Sequence, residues 1–128
     1  MANPNIVGVV SIYAGNAAWA LTATVTTTLL TVAADVIVKV NSIIATNTHA
    51  TASTALTLDV NGIGTTVTGV TGTSLATVAK IASTINIPAD DILVVIDKPI
   101  YLMENDILRG GATSACDLFI SYEVINDA

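Results

Sequence analysis

Apolar and polar positions alternate with a period of two along most of the chain, the pattern of strands that bury one face. Ile6, Val10 and Ile12 share one face of a run from Ile6 to Tyr13. Leu21, Ala23 and Val25 oppose a ribbon of Thr22, Thr24, Thr26 and Thr28. Val36, Val38, Val40 and Ile44 face one way, with Lys39 and Asn41 opposite. Leu56, Leu58 and Val60 alternate with Thr57 and Asp59; Ile81, Ile85 and Ile87 oppose Lys80, Ala82 and Thr84. The run Ile92 to Ile96 is apolar on both faces and reads as a central strand. Leu118, Ile120, Tyr122 and Val124 close the chain opposite Phe119, Ser121, Glu123 and Ile125.

Turn signals separate these runs. Pro88-Ala89-Asp90-Asp91 joins two strong strands, and Lys98-Pro99 interrupts the ladder because proline has no N–H to give it. Asn61-Gly62, Glu104-Asn105-Asp106 and Gly110-Gly111 read as further turns. Residues 61–74 form a Gly/Thr-rich loop or weak strand, and 74–78 fit a short helical turn. No repeat and no linker divides the chain, so residues 1–128 are expected to form one domain. The prediction is an all-β fold: a single β-sandwich, jelly-roll-like, with about eight strands whose two sheets cover each other's apolar faces.

Composition strengthens this reading. Val, Ile and Thr supply 49 of 128 residues, and these β-branched types suit a pleated surface. The polar residues that solvate helices are scarce: two Glu, three Lys, one Arg and no Gln. A net charge of -6 offers no basic face for nucleic acid. No apolar run is long enough to span a bilayer, and Met1 to Asn5 has no basic segment of the export type, so no membrane partner is expected.

Candidate chemistry is sparse. His49, the single histidine, lies in a small-residue loop with no Gly-x-Ser-x-Gly element anywhere to supply a nucleophile. Cys116, the single cysteine, excludes an intrachain disulfide, and one thiol with one imidazole cannot close a zinc site. Asp90-Asp91 and Glu104/Asp106 have the look of turn residues rather than a calcium loop. The glycines at 62, 64, 69 and 72 lack the lysine and the helix of a phosphate loop. The expectation is therefore no enzyme activity, no catalytic residue, no metal and no cofactor.

The surface points elsewhere. Only 11% of residues are charged, so much of the exterior must be Thr, Ala, Ser and Asn. Apolar residues also fall on faces opposite the first apolar set. Thr22, Thr24, Thr26, Ile37, Ile43, Val95 and Phe119 are the interface candidates on this reading, covered in a homo-oligomer; a dimer and a trimer both close such a surface, with the trimer favoured.

Four segments carry a family likeness. Val36-Ile-Val-Lys-Val-Asn-Ser-Ile-Ile-Ala-Thr-Asn47 is followed by Ile85-Asn-Ile-Pro-Ala-Asp-Asp-Ile-Leu-Val-Val-Ile-Asp-Lys-Pro-Ile-Tyr-Leu102. Asp106-Ile-Leu-Arg-Gly110 and Leu118-Phe-Ile-Ser-Tyr-Glu-Val-Ile125 complete the set. Together they resemble small virion structural proteins of tailed bacteriophages, especially cyanophages, over about half the chain. The resemblance implies a β-sandwich subunit of the virion, assembled in the host cytoplasm and lacking an active site. A capsid decoration or cement role comes first, touching the major capsid protein or neighbouring virion proteins. A neck, tail or fibre-base subunit is the second reading. A carbohydrate-binding module or host adhesin is the third, and it predicts exposed Trp19 or Tyr13.

Overall fold

A computed structural model describes residues 8–22, 27–61 and 78–126. They contain nine strands: β1 (Ser11–Leu21), β2 (Thr27–Thr31), β3 (Val36–Asn47), β4 (Thr54–Asn61), β5 (Val78–Ile87), β6 (Ile92–Ile96), β7 (Ile100–Leu102), β8 (Ile107–Ala112) and β9 (Cys116–Asn126). One sheet has the order β1-β9-β3-β6, with β7 pairing β3 beyond the end of β6. The other has the order β2-β8-β4-β5.

This order has a simple generating rule. Asp97-Lys98-Pro99 splits what is otherwise one strand into β6 and β7, both lying along β3. With that pair counted as one, the first strand pairs the last, the second pairs the next to last, and so on inward to β4 and β5. All these pairs are antiparallel. Folding the long ribbon over brings β9 against β3 and β8 against β4. The result is a jelly roll, two sheets closing on one core. Ile43, Leu56, Leu58, Ile87, Leu108, Leu118 and Ile120 fill that core, all fully buried.

Several expected features shift in the structure. Of the run Ile6 to Tyr13, Ile6 and Val7 lie outside the described residues; the first described strand is Ser11–Leu21, and Val10 and Ile12 are exposed (69% and 60%). Its inward residues are small, Gly15 and Ala17, before Trp19 and Leu21. Gly15 lies close under the Tyr122 ring, which a Cβ there would meet at 3.0 Å. The threonine ribbon does not form one strand either. Leu21 ends β1, Thr22 is exposed beyond it, Thr28 belongs to β2, and Thr24 and Thr26 lie outside the described residues. Residues 62–74 of the Gly/Thr-rich stretch, and all but Val78 of the proposed helical turn, also lie outside them.

In β3 the alternation changes parity. Val40 pairs Tyr122 and Ser42 pairs Ser121, so Asn41 is an inserted residue. A one-residue insertion flips every later side chain to the other face. Ile43 and Ala45 therefore enter the core, and Ile44 turns outward.

Two more corrections concern position in the sheets. The run Ile92–Ile96 is an edge strand, not a central one. Gly110 and Gly111 are not a turn but lie within β8, between β2 and β4. Leu58 and Leu29 occupy the space a side chain would need at Gly110, since a Cβ would fall 2.7 Å and 3.0 Å from their methyls.

Candidate interaction surface

The two faces of the β1-β9-β3-β6 sheet differ in kind. The inner face carries Leu118, Ile120, Val40, Ile43 and Ala45. The outer face is set by the same registers, one residue over. Ala18 sits beside Phe119, Phe119 beside Ile44, and Ile44 beside Val94. These four form an apolar row across the whole sheet, about 15 Å at the usual strand spacing. The adjacent row is Ala20, Asp117, Thr46 and Ile92. Phe119, Val94 and Ile92 are exposed at 45%, 51% and 58%. Side chains of this size gathered on one open face are unusual on a protein that works alone.

Further along the sheet the outer face becomes charged. Ala14, Glu123, Lys39 and Tyr101 make one row. The Asn41 amide donates to Glu123 Oε1 at 3.3 Å, and Tyr101 is exposed. The band thus has an apolar end at Phe119 and a mixed polar end at Tyr101.

The predicted interface residues divide accordingly. Phe119 is on the open face, and Thr22 is exposed at the end of β1. Ile43 is wholly buried in the core, so it cannot meet another subunit; the inserted Asn41 put it there. Ile37 lies on the outer side beside Ile125, yet both are buried within the chain (5% and 7%). Val95 is the extra residue where Ile96 and Val94 pair consecutive β3 residues, and it packs against the core. The open residues that sequence reasoning missed are Ile44, Val94 and Ile92. Their signal was the double-sided apolarity of 92–96, which marked an uncovered outer face.

The remaining candidates serve the loops. His49 is exposed, and its Nδ1 accepts the backbone N–H of Thr51 (3.2 Å) and of Ala52 (3.1 Å). Asn47, buried at the end of β3, ties three segments: its amide donates to the carbonyls of Ala52 (2.8 Å), Ile87 (3.0 Å) and Pro88 (3.1 Å). Asp91 Oδ1 accepts the N–H of Ile92 at 2.8 Å, the turn role expected of it. Glu104 Oε2 accepts the N–H of Asp35 (3.0 Å), and Asp106 Oδ2 accepts that of Met103 (2.9 Å). The first bond ties the β7–β8 turn to the β2–β3 turn, and the second closes the β7–β8 turn on itself. Burial raises the Asp106 carboxyl, and the Met103 N–H pulls the other way. Burial also raises the Cys116 thiol, with Asp117 adding to it against a backbone hydrogen bond at Thr46. Among the described residues no group of three or more His, Cys, Asp or Glu is placed to hold a metal. Trp19 packs against the core, whereas Tyr13 is exposed.

On the outer face of the second sheet, Asp59 is buried (1%) between two cations. Arg109 reaches it with two nitrogens, Nε to Oδ1 at 2.8 Å and Nη2 to Oδ2 at 3.2 Å. Lys80 Nζ is 3.6 Å from Oδ2 and half exposed. Lys80, Asp59 and Arg109 are direct cross-strand neighbours on β5, β4 and β8. The cluster clamps three strands and leaves no free charge aimed at a ligand.

Fold and surface together define a small all-β structural module of the jelly-roll type. A solved structure agrees on the fold. A chain of the T13 IBDV viral particle matches with a TM-score of 0.50 at 11% identity, over 91% of this chain. This chain spans 31% of that one. A chain of Bacillus endospore appendages, described as disulfide-linked pili, matches with a TM-score of 0.46 at 12% identity, over 92% of this chain and 88% of that one. No family model matches the sequence, and no curated protein does.

Proposed function

We propose that this protein is a non-enzymatic structural subunit of a virus particle, a decoration or cement protein that binds the assembled head of a tailed phage. The observation that carries this reading is the open apolar row Ala18–Phe119–Ile44–Val94 on the outer sheet face. A repeated lattice rewards such a surface, because modest contacts at many equivalent sites add up. The fold likeness to a viral-particle chain and the resemblance of segments 36–47, 85–102, 106–110 and 118–125 to phage virion proteins support the same reading. The partner is the major capsid protein or a neighbouring virion protein.

The test is binding to emptied phage heads by co-sedimentation, with Phe119→Lys and Val94→Lys as variants. Both side chains point outward, so the variants should fold normally and lose the heads. Retained binding by both variants overturns the assignment of this face. Copy number separates the two virion sites. A decoration subunit matches the shell lattice in number, whereas a neck, tail or fibre-base subunit matches the few copies of the tail axis.

A further inference from the structure

Among the described residues the two sheets have four edges, and they are not alike. An open edge offers unpaired N–H and C=O groups to any passing strand, and proteins blunt such edges with bulges, prolines, charges or short strands. The edge strand β5 has two register shifts, a left-handed Thr84 (φ 48°) and Lys80. The edge strand β2 is five residues long and also shifts register. The third edge is divided into β6 and β7 by Asp97-Lys98-Pro99. The fourth, β1, has none of these devices. Its eleven residues keep one unbroken register with β9 and include no charge, no proline and no bulge.

We infer that β1 is an assembly edge, and that its partner is β1 of a second copy of this chain. The two strands run antiparallel about a two-fold axis through Asn16, joining the two β1-β9-β3-β6 sheets into one. The register follows from the faces. Pairs whose residue numbers add to an odd total set inward side chains against outward ones, which a sheet with one buried face excludes. Among the even totals, only the one centred on Asn16 pairs all eleven residues of β1. It places Tyr13 opposite the partner's Trp19, two aromatics on the core side of the sheet, and Ala14 opposite the partner's Ala18. Aromatic cross-strand pairs are among the favourable ones. Tyr13 shares its facing with Trp19 yet is 61% exposed in the single chain, so this pairing supplies cover that the chain lacks. The chain carries a net charge of -6, but no charge lies on β1 to meet its own image at the axis. Of the dimer and trimer that the sequence leaves open, this edge geometry favours the two-fold dimer. It holds whether or not the protein sits on a virus particle.

The test is the native mass of the purified full chain by light scattering over a dilution series, with variants at the axis. Wild type should be a dimer of twice the 13.0 kDa chain. Asn16→Lys sets two like charges opposite each other on an exposed face, and should raise the dimer dissociation constant roughly 10-fold or more without altering the fold. Asn16→Cys should cross-link under mild oxidation, because directly opposed antiparallel residues lie about 4.5–5.5 Å apart at Cα, within disulfide range. Ala20→Cys, opposite the partner's Ile12, should not. A monomeric wild type, an oligomer indifferent to Asn16→Lys, or equal cross-linking by Ala20→Cys each overturns the inference.

Discussion

The Asp59 cluster gives a sharp test of how the second sheet is held. Arg109→Met leaves a carboxylate that is 1% exposed with only Lys80, 3.6 Å away and half in water. Removing one partner of a buried pair costs about 3–5 kcal/mol. The remaining lysine and the quarter exposure of Arg109 place this variant at the lower end, about 3 kcal/mol. Asp59→Asn leaves a guanidinium with some access to water, and should cost about 2 kcal/mol. The double variant removes both charges and should cost about 3 kcal/mol, well below the sum. The coupling energy is then about 2 kcal/mol. Coulomb's law gives the same order: charges about 4 Å apart interact by about 4 kcal/mol at an effective dielectric of about 20, before discounting for exposure. The assay is a double-mutant cycle by urea unfolding, with slopes compared to confirm that the same surface unfolds. Lys80→Met is the control, and should cost no more than about 0.5 kcal/mol. A coupling energy below about 0.5 kcal/mol refutes the reasoning, because it is the value of a solvated surface pair.

Four further outcomes are expected. Asn47→Ala removes the donor that holds the carbonyls of Ala52, Ile87 and Pro88, and should lower stability by about 2–3 kcal/mol in urea unfolding; Asn47→Asp, which aims a carboxylate at the same carbonyls, should cost more. The Asp106 carboxyl is raised in the folded state, so the native protein binds the extra proton and stability falls as pH rises from the unfolded value near 3.9 through the raised folded value. Asp106→Asn keeps an acceptor for Met103, and the unfolding midpoints of variant and wild type should diverge in the variant's favour across that window. Thr84 is a β-branched residue with a left-handed backbone, and Thr84→Gly should raise stability by about 1 kcal/mol in thermal or urea melts. Cys116 is buried with a raised thiol, so it should resist a disulfide reagent in the native protein and react at once in denaturant.

The sequence pattern was most legible where the inward residues are large. Leu56, Leu58 and Val60 on β4, and Leu118 and Ile120 on β9, face the core as their spacing predicts. It was least legible where the inward residues are small. Between Tyr13 and Trp19 the inner face of β1 carries only Gly15 and Ala17, where the Tyr122 ring crowds Gly15, and such small residues leave no alternation to read. Gly110 reads as a turn for the same reason, since local propensity cannot show that Leu58 and Leu29 need its missing side chain. The Asn41 insertion is marked in the sequence only by the polar pair Asn41-Ser42, but its effect is large: it exchanges Ile43 for Ile44 on the outer face. The candidate surface was legible as a kind of surface before it was legible as a place. Neutral composition and two-sided apolarity showed that something was uncovered, and the strand order then put Phe119, Ile44 and Val94 side by side.

The division between guarded and unguarded surface follows from the nesting of the strands. In this topology the first and last described strands pair, so β1 lies at an end of its sheet with β9 as its only neighbour among the described residues. Every other edge strand can absorb a bulge or a break. β5 and β2 are anchored through β4 and β8, and the β6–β7 break leaves both pieces held by β3. β1 has no such latitude, because its backbone must track β9 along its whole length to carry Trp19 and Leu21 onto the core. A long, straight, uncharged edge is the direct consequence. On a solitary protein it would be a hazard for uncontrolled pairing. Closing it against its own copy removes the hazard, and it also leaves the row of Phe119, Ile44 and Val94 free for a different partner, since that row lies on the sheet's face and the pairing uses its edge. Self-association and attachment to a larger lattice therefore draw on separate surfaces. Asn16→Lys should abolish the first without the second, and Phe119→Lys the second without the first.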